Sequence, residues 1–135
     1  MTETLDVRDG GCLCGAVRYR AQLTTDAVLQ CHCKNCRRLT GNFVAAVRSS
    51  RSQMELIDPD ESLGWHELGY AAYGFCRSCG STLFFEPEEP PAHTSVMVGT
   101  LDDATGLRLE SVWFADDAQP HNLLPEGVPL HRGNG

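Results

Sequence analysis

Lysine is almost missing from this chain: Lys34 stands alone among 11 basic residues, against 18 acidic ones. The net charge of −7 gives a surface that repels phosphate backbones, which argues against nonspecific nucleic-acid or anionic-membrane binding as the main activity. The skew from Lys to Arg reads as genome composition rather than function. No apolar run approaches the roughly 18–20 residues that a bilayer span requires, and MTETLDVRDG lacks the basic-then-apolar pattern of a signal peptide. A cytoplasmic protein is therefore expected. Repeats, low-complexity tracts and long linkers are lacking too. With 135 residues, 41% of them apolar and 21% charged, the chain fits one soluble domain over 1–135 with its core over about 8–130.

Against these absences stand seven cysteines, an odd number that cannot all pair as disulfides and too many for a reducing compartment to carry by chance. Metal ligation or catalysis is the working reading. They fall in three groups: Cys12 and Cys14 in GGCLCGAVRYR, Cys31, Cys33 and Cys36 in CHCKNC, and Cys76 and Cys79 in GFCRSCGSTLFF.

Around them the chain reads as short strands. Val17, Tyr19 and Ala21 alternate with Arg18 and Arg20, the period of a half-buried strand. Phe43, Ala45 and Val47 are expected on one face of FVAAVR, and TLFF, TSVMVG and SVWFA are rich in β-branched or aromatic residues. Turn signals recur at Gly10-Gly11, Asp58-Pro59-Asp60, Gly69, Pro87 to Pro91, Asp102-Asp103 and Pro120. This rhythm predicts an all-β domain of two sheets or a partial barrel, with a helical turn or two over residues 34–39. PEEPPA reads as a rigid extended loop. HRGNG, after Leu130, has nothing apolar to dock and reads as a frayed tail.

Spacing then sorts the cysteines. Two thiolates at CxxC spacing on a tight turn converge on one ion, and Gly80 permits the positive φ such a turn needs. A redox CxxC would open a helix, whereas strand-like residues follow Cys79. Cys12 and Cys14 would lie roughly 6–7 Å apart on a flat strand. Two sulfurs on one tetrahedral zinc, with bonds of about 2.3 Å, lie about 3.8 Å apart. The backbone must curl there, and Gly11 and Gly15 make that easy. Cys12, Cys14, Cys76 and Cys79 would then close a four-thiolate structural zinc site that contributes folding energy directly. Cys31, Cys33 and Cys36 would wrap a second ion from three sides and leave one vertex open, the pattern of a catalytic zinc. Closure of that vertex by a His or Asp from elsewhere is the structural alternative. A partition pairing part of CHCKNC with Cys76 and Cys79 also stays open.

Zinc with three thiolates is an anion, and Lys34, Arg37 and Arg38 sit beside it to offset the charge. With His32 they are the candidate substrate-binding residues, although two arginines after such a turn are as often simply solvated. His32 either faces the open vertex or packs. His66 reads as a solvated strand residue, His93 and His121 as loop residues, and His131 as part of the tail.

The ordered set GGCLCGAVRYR, CHCKNCRRLTG, GFCRSCGSTLFF and VGTLDD resembles the glutathione-dependent formaldehyde-activating enzyme family, which includes centromere protein V; SVWFAD and Pro120 fit its C-terminal region. The resemblance implies a zinc-stapled β-tent, similar in outline to Rab exchange-factor relatives. It implies that Cys12, Cys14, Cys76 and Cys79 hold the structural zinc and that Cys31, Cys33 and Cys36 hold the catalytic one, which is weakly occupied in some members. The implied activity is that of a carbon–sulfur lyase, forming or cleaving an adduct such as S-hydroxymethylglutathione. Its partners would be a small thiol such as glutathione and an aldehyde, with no nucleic acid and no membrane, and an exposed strand edge would suit a homodimer. Two other functions fit the same cysteines. One is a non-enzymatic zinc module that binds a partner through an apolar patch at Phe84, Phe85, Trp113 and Phe114, aromatics that alternation otherwise sends to the core. The other is a thiol-redox or metal-buffering cluster at Cys31, Cys33 and Cys36.

Overall fold

The computed structural model describes residues 5–90 and 92–133. Its short alternating runs form nine strands: β1 (Asp6–Gly11), β2 (Arg18–Cys31), β3 (Val44–Ser49), β4 (Glu55–Ile57), β5 (Leu63–Glu67), β6 (Ala71–Cys76), β7 (Thr82–Pro87), β8 (Thr94–Met97) and β9 (Arg108–Trp113). The fold is all-β apart from one short helix, α1 (Lys34–Thr40), and three 3-10 turns. No helix among the described residues is long and apolar enough to cross a membrane.

The turn rhythm predicts two sheets or a partial barrel, whereas the strands form one sheet in the order β1-β2-β3-β8-β7-β6-β5, with β4 and β9 also paired to β2. The reason is the length of β2, 14 residues, which serves as a shared spine. At Leu23 it pairs with Asp6 of β1 on one edge and with Ser49 of β3 on the other. Beyond that point β9 continues the β1 edge in parallel, while β4 occupies the β3 edge. A bulge between Leu23 and Val28 bends the spine where the partners change.

Burial then follows parity across the middle of the sheet. Val47, Val96 and Phe84 are cross-strand neighbours on one face and pack with Val17, Tyr19, Ala21 and Leu83. The opposite face gathers Val44, Ala46, Tyr73 and Met97. Both faces of β3 are therefore covered, and Val44, Ala46 and Val47 are all buried while Phe43 and Ala45 are only half-buried. The expected single face of Phe43, Ala45 and Val47 is wrong for this reason: an interior strand with two covered faces loses the clean alternation. On the first face Tyr19 meets the edge of Phe84 at 5.1 Å, and its hydroxyl bonds with Thr100 Oγ1 at 2.7 Å. Gly10 makes room for that ring, since a Cβ there would lie 2.5 Å from the Thr100 carbonyl oxygen.

The tail expected to fray is tied down over its described part. The His131 N–H donates to the Val112 carbonyl at 2.8 Å, and the Val112 N–H donates to the Pro129 carbonyl at 3.0 Å. The His131 ring stacks on Trp113 at 3.9 Å and 10°. What docks the segment is backbone pairing to the open edge of β9, a signal that apolar content cannot carry. Residues 134–135 of that tail, Pro91 of PEEPPA and residues 1–4 lie outside the described residues.

Candidate metal centres

Two curled turns bring the first four cysteines together. After β1, the Cys12 N–H donates to the Val17 carbonyl at 3.0 Å, and the Gly15 N–H donates to the Cys12 carbonyl at 3.2 Å. After β6, the Cys76 N–H donates to the Ser81 carbonyl at 2.9 Å, and the Gly80 N–H donates to the Cys76 carbonyl at 2.8 Å. Gly15 and Gly80 adopt φ of 80° and 82°, which only glycine takes at little cost. The four sulfurs lie within 4.8 Å of one another, with Cys12 to Cys14 at 3.6 Å and Cys14 to Cys76 at 3.8 Å. Those spacings match the ~3.8 Å edge of a tetrahedral thiolate site with metal–sulfur bonds of about 2.3 Å. Donors already face the sulfurs: the Val17 N–H bonds Cys12 at 3.3 Å, and the Ser81 hydroxyl lies 3.2 Å from Cys79. The Ser81 hydrogen bond holds the Cys79 thiol down to about 5. The set fits a soft or borderline metal ion.

The second cluster is built locally. Cys31 ends β2, Cys33 caps the N-terminus of α1 by accepting the Cys36 N–H at 3.3 Å, and Cys36 projects from the first turn. Gly41, at φ 84°, closes the helix by donating to the Arg37 carbonyl. The three sulfurs also lie within 4.8 Å of one another. A hydrogen bond from Cys36 holds Cys31 down to about 6, and that bond together with burial pushes the Cys36 thiol up. Beneath them Tyr73 of β6 places its hydroxyl 3.0 Å from Cys36 Sγ, both side chains being buried. Burial holds Tyr73 well above the ordinary phenol range, so it is the donor whenever Cys36 is a thiolate. Because the clusters pack with opposite cores, they sit on opposite faces of the sheet.

The partition is therefore four plus three, and no sulfur of CHCKNC joins Cys76 and Cys79. Among the described residues, no His, Asp or Glu joins the three sulfurs within ligand range. His32 packs: it is 2% exposed, its ring lies 4.9 Å from Phe43, and burial holds it below the ordinary imidazole range. Lys34 and Arg38 are exposed on α1, while Arg37 is half-buried and donates to the side-chain oxygen of Gln119 at 2.6 Å when that amide is oriented to accept. His66 is a solvated strand residue, and His121 is exposed in a turn. Phe84 is core and Phe85, Trp113 and Phe114 are half-buried, so these aromatics form no exposed patch. Sequence reasoning missed Tyr73 and Ser81. Ser81 follows CxxCG directly and could have been suspected, whereas Tyr73 carries no local signal because it reaches Cys36 across 37 residues.

A family model described as glutathione-dependent formaldehyde-activating enzyme matches residues 7–117. An uncharacterised lyase of Schizosaccharomyces pombe is 31% identical over 78 residues, covering 57% of this chain and 56% of that protein. The chain thus spans little more than half the length of that relative. A crystal structure of a Rhodobacter sphaeroides protein superposes with a TM-score of 0.61 at 26% identity, over 90% of this chain and 98% of that one.

Proposed function

Because the chain belongs to the glutathione-dependent formaldehyde-activating enzyme family, we propose that it is a zinc-dependent enzyme of the carbon–sulfur lyase type, joining a small thiol to an aldehyde or reversing that addition. The observation that carries the reading is the three-sulfur cluster with no fourth protein ligand among the described residues. In this reading Cys12, Cys14, Cys76 and Cys79 hold a structural zinc that staples residues 1–135 as one β-tent domain, and Cys31, Cys33 and Cys36 hold the catalytic ion. The lack of an exposed aromatic patch weighs against the interaction-module alternative.

Zinc bound by those three cysteines would keep an incoming thiol deprotonated near neutral pH. The chain's own residues do the rest. Cys31 and Cys33 are half-buried and leave a side open, while Tyr73 fixes Cys36 from beneath. Lys34, Arg37 and Arg38 offset the excess negative charge of three thiolates. The substrate sulfur forms a C–S bond to the aldehyde carbon, the carbonyl π pair moves onto oxygen, and that oxygen takes up a proton equivalent to the one the thiol gave up. Cleavage reverses each transfer. Since the uncatalysed addition is already easy, holding the two reactants together is the main demand.

Cys33→Ser tests this. Wild type should bind a labile zinc in addition to the structural one, and the variant should keep the structural zinc and its fold while losing the labile ion and adduct turnover. Unchanged turnover in the folded variant would refute the assignment. Unfolding would make the second site structural.

A further inference from the structure

Along the same face as Cys31 runs an open cleft of about 540 Å³, within the size range of small-molecule sites. Leu29 forms part of its floor, two residues before Cys31 on β2, and Trp113, the register partner of Cys31, forms part of its wall. Both of the irregularities in strand β2's neighbourhood shape it. The bulge between Leu23 and Val28 places Thr24 and Thr25 at its rim, and the shift between Val28 and Leu29 leaves Glu110 of β9 as an extra residue re-aimed at the groove. Arg48 of β3 faces Glu110 from the opposite wall. Among the described residues no hydrogen bond or ion pair engages the Arg48 guanidinium, whereas Arg8, Arg18, Arg20, Arg51, Arg108 and Arg132 all hold carboxylates.

The geometry points to Arg48 and Glu110 as the residues that set thiol specificity, by receiving the carboxylate and the ammonium at the far end of a substrate whose sulfur reaches Cys31. This rests on the proposed thiol–aldehyde reaction. The two stand on strands either side of β2, roughly 10 Å apart at about 4.8 Å per strand spacing. Val28 pairs with Val47 and Cys31 ends the strand, so the charged pair lies two to four residues back from the thiolates, roughly 7–13 Å at about 3.3 Å per residue. A single amino acid is too short to bridge that span. A peptide-type thiol with its zwitterionic end remote from sulfur fits, and the Trp113–His131 stack gives its middle an apolar wall.

The test is calorimetric binding to the zinc-loaded protein of three thiols: glutathione, glutaryl-cysteinylglycine, which lacks the remote ammonium, and 4-aminobutanoyl-cysteinylglycine, which lacks the remote carboxylate. Wild type should prefer glutathione about tenfold over each. Arg48→Gln should erase only the preference over the analogue lacking the carboxylate, and Glu110→Gln only the preference over the analogue lacking the ammonium. Equal binding of all three thiols, no binding, or variants that weaken all three alike would overturn the assignment. Adduct turnover measured in parallel separates the two readings. Charge-selective binding without turnover sustains the cleft and sinks the reaction, whereas turnover with unaltered selectivity in both variants does the reverse.

Discussion

Tyr73→Phe removes one oxygen and almost no volume, and so isolates the hydrogen bond to Cys36. The bond is 3.0 Å long, and Tyr73 is 2% exposed. A hydrogen bond to a charged acceptor contributes about 1.5–3 kcal/mol, and removal leaves a buried thiolate lone pair with no replacement from solvent. At about 1.4 kcal/mol per tenfold, the three-cysteine site should bind zinc roughly 10–150-fold more weakly. That range overlaps the loss of about 10–100-fold typical of outer-shell partners of a metal ligand. The assay is competition with a graded chelator, followed by zinc counting on the washed protein. The four-cysteine site on the opposite face serves as internal control and should hold its ion unchanged. Tyr70→Phe is a second control, since Tyr70 is exposed and bonds Asn35 rather than a cysteine. Equal chelator curves for wild type and Tyr73→Phe would refute the reasoning. So would parallel loss at both sites, which would mean general destabilisation.

Two further outcomes follow from the core. Phe84→Ala empties a site between Tyr19 and Trp65 in the first core, and should cost about 3–5 kcal/mol, read as a lowered denaturant midpoint with unchanged slope. Burial pushes the Tyr19 hydroxyl up to about 12 from 10.0, so the unfolded chain ionises first as pH rises. Its contribution is fully present below about pH 10 and lost between pH 10 and 12, by about 2.7 kcal/mol at 1.36 kcal/mol per pH unit. Tyr19→Phe should flatten that alkaline limb in a pH series of unfolding curves, and an identical limb in both proteins would contradict the assignment.

Local features of the sequence located the cysteine clusters because each depends on spacing. The curl at Cys12 and Cys14 follows from sulfur separation and two flanking glycines, and the cap at Cys33 from CxxC at a helix start. Features that depend on pairing between distant segments were not legible. The merging of two expected sheets turns on the length of β2, and the docking of His131 turns on an open strand edge rather than on apolar content. Tyr73 meets Cys36 only because β6 and β3 share one sheet. The inverted burial of FVAAVR has the same origin, since covering both faces of a strand erases the period of two.

The two clusters also differ in what their closure costs the chain, and that difference bears on which can exchange its ion. The four-cysteine site joins turns separated by 62 residues between Cys14 and Cys76. Losing an ion there releases a long loop, and the closure entropy of that loop, which grows with its length, then opposes folding. Cys31, Cys33 and Cys36 lie within six consecutive residues, held by a strand end and a helix cap that form without metal. Removing an ion from them opens no tertiary connection. A site that closes no long loop can release and rebind its ligand without unfolding, which is the property an exchangeable catalytic position requires and a structural staple must avoid.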